Sequence, residues 1–266
     1  MGLKILFLAD IVGKPGRKAA AKFIAEQKNK LAPDLIIANA ENLAHGKGVT
    51  AETLQEMCTA GIDYFTSGNH IWKKTDVFDL IDNPDNHLIR PANYPDETPG
   101  RGYVVANVKG KKILIINLLG RVFIKEDADC PFKIADKILA QFKNEKLDAI
   151  IVDIHGEATS EKRALGFYLD GRVSAVIGTH THVPTCDQQI LENGTAYVSD
   201  AGMVGIHNSV LGIEKENIIK TFLTQIPYAH QLAERGLCVV NSLLLEINPH
   251  DIKAKDLQRV DTLVKI

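Results

Sequence analysis

The sequence predicts an α/β fold in which two mixed β-sheets pack face to face with helices outside. Three observations carry this. Apolar runs of strand length alternate with amphipathic stretches from the N-terminus through Ile81, the pattern of β-loop-α units. Further on, the turn signals Lys109-Gly110-Lys111 and Glu192-Asn193-Gly194-Thr195 add antiparallel hairpins, the second because Asn-Gly tolerates positive φ. Finally, 266 residues with 45% hydrophobic content can bury a substantial core, near the upper end of what one core supports, so one domain over residues 1–266 is expected.

Taken in order, Lys4 to Ala9 reads as a strand that delivers Asp10 at its end. Gly13, Pro15 and Gly16 then mark a loop and a helix start, and Ala20, Phe23, Ile24 and Leu31 share one face of that helix. The second unit is strand Leu35 to Asn39, with Glu41-Asn42 at its exit, a glycine-containing loop through Gly48, and a helix capped by Thr50 and ending near Gly61. The third is strand Tyr64 to Ser67, with Gly68-Asn69-His70 at its exit and a helix through Val77, Leu80 and Ile81. Gly102 to Val108 and Lys112 to Asn117 form a hairpin, and Pro131 to Phe142 an amphipathic helix. Ala149 to Ile154 is apolar apart from Asp153 and exits at His155-Gly156, with Thr159 or Ser160 as cap of the next helix. Val173 to Ile177 is a buried strand running into Gly178-Thr179-His180-Thr181-His182. In extended backbone residues i and i+2 point the same way, so both imidazoles are expected to face one site. Leu237 to Ile247 reads as one long β run and Lys253 to Ile266 as a last strand.

Net charge is −2 and charged residues make up 24%, so no global positive field points to duplex DNA or a membrane surface. The run Ile5 to Ala9 is too short for a signal-peptide core or a membrane span, which leads us to expect a cytoplasmic protein. Cys58, Cys130, Cys186 and Cys238 are scattered without a C-x-x-C, and read as small apolar residues.

Strand after strand thus hands polar, metal-competent residues to one end of the sheet, where open α/β sheets place their sites. Asp10 and Glu41 offer acidic oxygens, Asn42 and Asn69 amide oxygens, and His155, His180 and His182 imidazoles. That inventory suits a two-metal hydrolase, which needs a bridging carboxylate, terminal ligands and open positions for water and phosphate. Nitrogen and oxygen donors without thiolate favour iron, manganese or zinc. An extra histidine could protonate the leaving oxygen, and His70 is the candidate.

Asp10, Glu41-Asn42, Gly68-Asn69-His70, His155-Gly156 and Gly178-Thr179-His180-Thr181-His182 resemble the five ordered motifs of the calcineurin-like metallophosphoesterase superfamily. The wording Asp10-Ile-Val-Gly-Lys-Pro-Gly-Arg17, Asn39-Ala-Glu-Asn42 and His155-Gly-Glu-Ala-Thr-Ser-Glu-Lys162 is similar to its bacterial 2′,3′-cyclic-nucleotide 2′-phosphodiesterases, over essentially the whole chain. The resemblance implies a four-layer αββα sandwich and two metal ions, iron or manganese foremost and zinc next. It implies that Asp10, Glu41, Asn42 and His182 hold the first ion, that Glu41 bridges, and that Asn69, His155 and His180 complete the second, with His70 at the proton-donor position. The substrate class implied is a cyclic nucleotide, opened at the 2′ bond; RNA and a homo-oligomer are further possible partners. The superfamily's first motif is usually Asp-x-His, but here it is Asp10-Ile11-Val12, so Asn42 must serve in place of an imidazole. Its bridging residue is usually Asp and here is Glu41. The acidic residue that often follows Gly-Asn-His is Ile71, so whatever orients His70 comes from elsewhere.

Other activities fit the same metals: a phosphomonoesterase, a 3′,5′-cyclic-nucleotide phosphodiesterase, or a nucleotide sensor with incidental catalysis. Gly46-Lys47-Gly48 is either a phosphate cradle or a flexible turn. Arg17 and Arg90 are read as loop braces or solvated surface, Trp72 as packing under the His70 loop, and His45 and His207 as loop residues without a metal role.

Overall fold

The computed structural model describes residues 2–266. In chain order the first third runs β1 (Leu3–Leu8), β2 (Asp10–Ile11), α1 (Gly13–Leu31), β3 (Leu35–Asn39), α2 (Ala51–Thr59), β4 (Tyr64–Thr66) and α3 (Val77–Ile81). Next come β5 (Tyr103–Val108), β6 (Lys111–Leu119), α4 (Pro131–Gln141), β7 (Ala149–His155), α5 (Thr159–Leu169) and β8 (Ala175–Thr179). The remainder holds β9 (Gln189–Ile190), β10 (Ala196–Val198), β11 (Met203–Ile206), α6 (Lys215–Thr224), β12 (Leu237–Val240), β13 (Ser242–Ile247), β14 (Ala254–Arg259) and β15 (Thr262–Lys265).

Two mixed sheets dominate. One has the order β14-β13-β1-β3-β4, with β1, β3 and β4 parallel and β13 and β14 antiparallel to their neighbours. The other has the order β5-β6-β7-β8-β10-β9, parallel from β6 to β10 and antiparallel at both edges. Strand periodicity builds the layers. Leu3, Ile5 and Phe7 of β1, Leu35 and Ile37 of β3, Ile113 and Ile115 of β6, Ala149 and Ile151 of β7, and Ala175 and Ile177 of β8 meet in the core between the sheets. The opposite parity, Leu6, Leu8, Ile36 and Ala38, packs against Ala19, Ala20, Phe23 and Ile24 of α1. On the far side Leu114, Ile116, Ile150, Val152 and Val176 pack against Ala135 and Ile138 of α4 and Leu165 and Leu169 of α5. Each large apolar side chain among these, fully buried, contributes about 1.5–3 kcal/mol. The result is helix, sheet, sheet, helix: the αββα sandwich.

A third sheet, β15-β12-β11-β2, lies beyond the sequence reading. Three chain segments pass between it and the five-stranded sheet: β1 to β2 at Ala9, β12 to β13 at Asn241, and β14 to β15 at Val260 and Asp261. The expected single runs Leu237–Ile247 and Lys253–Ile266 are therefore each two strands in different sheets; hydrophobicity stays continuous across a switch whose cause is tertiary pairing. Asn241 pins the switch. Its carbonyl accepts from Ala9 N (3.2 Å), its N–H donates to Met203 O (3.0 Å), and its Oδ1 accepts from Met203 N (3.1 Å). Gly202 (φ +102°) passes so close that a Cβ there would lie 2.5 Å from Asn241 Oδ1.

Local signals fared unevenly. Thr50 caps α2 in a reciprocal box with Thr53. Helix α5 begins after Ala158, and neither Thr159 nor Ser160 supplies a side-chain cap. Helix α6 buries none of its side chains, so it carried no core-facing stripe to read. All four cysteines are free; Cys238 is buried and Cys186 exposed. Among the described residues no helix is long and apolar enough to cross a membrane.

Candidate active site

The inward parity that makes the inter-sheet core continues past it with polar residues. Asn39 follows Ile37 on β3, Thr66 ends β4, Asn117 follows Ile115 on β6, Asp153 and His155 follow Ile151 on β7, and Thr179 follows Ile177 on β8. All are buried. Such groups must be hydrogen-bonded, and they bond one another. Asp153 Oδ2 accepts from Thr66 Oγ1 (2.5 Å) and Asn39 Nδ2 (3.0 Å), and Oδ1 accepts from Thr179 Oγ1 (2.7 Å). Having given its only hydrogen to Asp153, Thr179 Oγ1 is left to accept from His155 Nδ1 (2.9 Å). Asn39 Oδ1 takes the Glu41 N–H (2.9 Å), and Asn117 Oδ1 takes that of Ser67 (2.9 Å).

On this floor stand the residues the sequence singled out. Asp10 lies at the sheet switch, Glu41 and Asn42 follow β3, Asn69 and His70 follow β4, His155 ends β7, and His180 and His182 follow β8. Asp10 Oδ1 is 3.8 Å from both His155 Nδ1 and His182 Nε2. Glu41 Oε1 is 3.5 Å from His155 Nε2, 3.0 Å from His70 Nδ1, and accepts the His70 N–H at 2.7 Å. The backbone bond ties His70 to Glu41, while its Nδ1, close to Oε1, makes no hydrogen bond. His182 Nε2 lies 3.3 Å from Asn42 Oδ1, while Asn42 Nδ2 donates to Gly46 O (2.7 Å) and so turns its oxygen inward. His180 Nδ1 lies 3.0 Å from His155 Nε2. Asn69 sits beside Gly68, whose hypothetical Cβ would fall 2.2 Å from His155 Cδ2, so this loop lies directly on the His155 ring.

The pair His180 and His182 corrects the strand-parity argument. The strand ends at Thr179, and both histidines have positive φ, 101° and 62°. Their rings reach the same centre from a left-handed loop, not from extended backbone. Two of the three candidate ligand imidazoles have one nitrogen hydrogen-bonded to the protein, His155 Nδ1 to Thr179 and His182 Nδ1 to Leu211 O (3.1 Å), and His180 Nε2 lies 3.1 Å from Glu157 Oε2 on the cavity wall. The other nitrogen of each faces the centre. This is the arrangement that orients metal-binding histidines.

Electrostatics match. Burial raises the Asp10 carboxyl to about 8, with Asp200, Asp153 and Glu41 adding repulsion and His155 opposing. Burial also works against Glu41, but the charge of His155 and hydrogen bonds from His155 and His70 hold it at about 2. His155 runs the other way: burial lowers it, Glu41, Asp10 and Asp153 outweigh burial, and it rises to about 9. Burial and the charge of His155 lower His180 to about 3, and burial lowers His182.

Three buried oxygens here, Asp10 Oδ1, Glu41 Oε2 and Asn69 Oδ1, have no hydrogen-bond partner. Unpaired buried oxygens are costly, and a bound cation would satisfy all three together. Among the described residues no three His, Cys, Asp or Glu side chains gather as a cation cage by themselves. The amides of Asn42 and Asn69 enlarge the donor set, so the residues fit hard or borderline cations with mixed N/O ligation. The centre opens into a cavity of about 240 Å³ lined by Glu41, Asn42, His70, Glu157, His180, Thr181, His182 and Leu211. A larger one, about 530 Å³, sits at the opposite end of the strands around Leu3, Asp34 and Lys109, away from all of these groups.

Other singled-out residues resolve as scaffolding. Within Gly46-Lys47-Gly48, Lys47 N donates to Ala44 O and Gly48 N to Glu41 O, so this is a turn with those amides already used. Arg17 bonds Glu56 and Leu43 O, and Arg90 gives its guanidinium to Pro91, Thr98 and Pro99 carbonyls. Trp72 packs on Phe78 and Tyr94. The sequence reading missed the floor residues Asn39, Thr179 and Asp153, together with Glu157 and the buried pair Lys162–Asp200. The lone acid inside an apolar strand was the available signal for Asp153; nothing marked Asp200.

Comparison with known proteins places the chain in a family. The model of the YmdB-like protein family matches residues 6–260. A 2′,3′-cyclic-nucleotide 2′-phosphodiesterase of Bacillus subtilis is 43% identical over 258 residues, covering 97% of this chain and 96% of that protein. The crystal structure of a novel phosphatase from Mycoplasma pneumoniae superposes with TM-score 0.91 at 33% identity, over 99% of this chain and 94% of that one. A hypothetical protein from Thermus thermophilus superposes with TM-score 0.90 at 36% identity, over 98% of this chain and 99% of that one.

Proposed function

The chain belongs to the YmdB-like protein family, and from that premise we propose that it is a metal-dependent phosphodiesterase that opens 2′,3′-cyclic nucleotides at the 2′ bond to give 3′-nucleotides. The observation that carries the proposal is the meeting of three partnerless buried oxygens, Asp10 Oδ1, Glu41 Oε2 and Asn69 Oδ1, with the imidazoles of His155 and His182, each oriented by a hydrogen bond at Nδ1. The relative named for this reaction supports the substrate class.

Asp10, Glu41, Asn42 and His182 would hold one ion, and Asn69, His155 and His180 a second, with Glu41 shared. Iron or manganese suits this donor set, and zinc is compatible with it. When bound, such ions supply Lewis acidity toward phosphoryl oxygens and lower the pKa of water. The chain's own groups do the rest. Glu41 Oε1 lies against Nδ1 of His70, which leaves Nε2 to carry a proton to the departing 2′ oxygen as the P–O2′ bond breaks. Thr179 and Asp153 hold the His155 ring, and Gly46 O aims the Asn42 amide. Leu211, on the cavity wall, holds His182 through its carbonyl.

The test is hydrolysis of 2′,3′-cyclic AMP by purified protein, with metal content measured and the product isomer identified. We expect 3′-AMP from the wild type, and loss of metal or turnover in Glu41→Gln, which keeps volume and removes the shared charge. Wild-type metal content and rate in that variant would refute the role given to Glu41. A phosphomonoesterase reading has the 33%-identical phosphatase in its favour, and inorganic phosphate released from 3′-AMP would support it instead.

A further inference from the structure

The motif His155-Gly-Glu-Ala-Thr-Ser-Glu-Lys162 ends on a lysine that the proposed chemistry does not use. Lys162 lies on α5 and is completely buried, a rare state for lysine unless it is paired. Its Nζ donates to Asp200 Oδ2 at 2.9 Å, and Asp200 is equally buried. The same Nζ lies 3.3 Å from Thr179 O. Asp200 Oδ2 also accepts both the backbone N–H of Thr181 (3.0 Å) and its Oγ1–H (2.7 Å). The residues on either side of His180 are therefore tied to one lysine–aspartate pair.

What this pair holds is a conformation that side-chain-bearing residues rarely adopt. His180 and His182, flanking Thr181, both have positive φ. Two such residues two positions apart persist only where the surroundings over-determine the backbone. Asp200 is itself fixed: Oδ1 accepts from Gly202 N (2.9 Å), its N–H donates to Thr185 Oγ1 (2.9 Å), and its carbonyl accepts from Arg259 Nη2 (2.7 Å) and Thr185 N (3.1 Å). The lysine stem runs beneath Gly178, where a Cβ would lie 2.9 Å from Lys162 Cδ and 1.8 Å from Ser199 O. A buried ion pair is weak as a source of stability, since desolvation offsets its attraction. Its geometric effect is the better account of why it is there.

We propose that Lys162 and Asp200 are positioning residues: by anchoring Thr179 and Thr181 they force the left-handed turn that carries His180 and His182 to the same centre from opposite sides of Thr181. The consequence for metal binding rests on the functional reading above; the consequence for the backbone does not.

Two variants separate placement from folding. Lys162→Met with Asp200→Leu removes both charges together, so no buried charge is stranded, and removes the acceptor for Thr181. Thr181→Val leaves the ion pair intact and deletes only one hydrogen bond, which keeps the test usable if the double variant does not fold. For each we would determine a crystal structure and titrate the metal-free protein with Mn(II) by calorimetry. Expected in the double variant are a negative φ at His180 or His182 and Mn(II) affinity weakened about 10–100-fold; a smaller, several-fold loss is expected in Thr181→Val. Positive φ at both histidines in the folded double variant, or in its absence wild-type Mn(II) affinity in Thr181→Val, overturns the proposal. Should wild-type protein bind no Mn(II), the metal reading fails, and the backbone at residues 180 and 182 still decides the positioning role.

Discussion

Gly68→Ala isolates the candidate site from the fold better than any ligand substitution, because it adds one methyl group where the structure has no room. Gly68 has no positive φ, so alanine suits its backbone, and the whole effect comes from space. The new Cβ would lie 2.2 Å from His155 Cδ2 and 2.3 Å from Nε2, about 1.2 Å inside ordinary contact. The imidazole cannot retreat cheaply, since it is fully buried and its Nδ1 is held by Thr179, which is held in turn by Asp153. Either the ring or the Gly68-Asn69-His70 loop must shift by roughly 1 Å. Over-packing of this kind costs about 1–3 kcal/mol, which for a chain of this size lowers the melting temperature by roughly 2–12 °C. Misplacing a reacting group by about 1 Å costs on the order of 10²-fold in rate. The assay pairs thermal unfolding with turnover of 2′,3′-cyclic AMP and metal content. Gly205→Ala serves as control, because its Cβ would meet nothing closer than Val12 Cβ at 3.4 Å, and we expect little change. A Gly68→Ala protein with wild-type rate and metal content would refute the claim that the position of His155 matters to function, whatever its melting temperature.

Three more outcomes follow from other parts of the structure. In His70→Ala, metal content should hold while the rate falls, most for esters with poor leaving groups that need a proton; equal slowing across leaving groups of very different pKa would count against His70 as the acid. Thr50→Ala removes one side of the capping box on α2 and should cost about 0.5–2 kcal/mol in denaturant unfolding with catalysis unchanged. At Asp187, burial pushes the carboxyl up, but hydrogen bonds from Ser199 (2.6 Å) and Thr185 (2.7 Å) outweigh it and hold the group below its ordinary 3.8. A carboxyl lowered in the native state adds stability that is complete above its unfolded pKa and lost as pH falls through the native one. The stability gap between wild type and Asp187→Asn should thus be constant above about pH 5 and close on acidification below 3.8; a gap that widens there contradicts the assignment.

The sequence was most legible where one rule acted alone. The β-loop-α units, the two hairpins and the Thr50 cap each rest on local periodicity or turn chemistry, and each is present. It was least legible where the chain changes partners without changing character. Nothing in the apolar run from Leu237 to Ile247 announces that Val240 pairs in one sheet and Ser242 in another, because both sheets ask for the same alternation. The residue that makes the switch, Asn241, does so by bonding Ala9 and Met203, which are distant in sequence.

The same limit explains how the candidate site was read. Strand parity was applied to His180 and His182, which lie beyond the strand, and it reached a true convergence through a wrong geometry. Applied one residue earlier, it would have placed Thr179 inward beside Asp153 and His155, since all three share the face that carries Ile151 and Ile177 into the core. Polar residues in register with an apolar face are the visible mark of a core ending and a site beginning: burial continues, so each must find a partner, and the partners are one another. The ligand candidates stood out because their residue types are reactive. The floor beneath them did not, because asparagine, threonine and a single aspartate acquire meaning only when adjacent strands bring them into one layer.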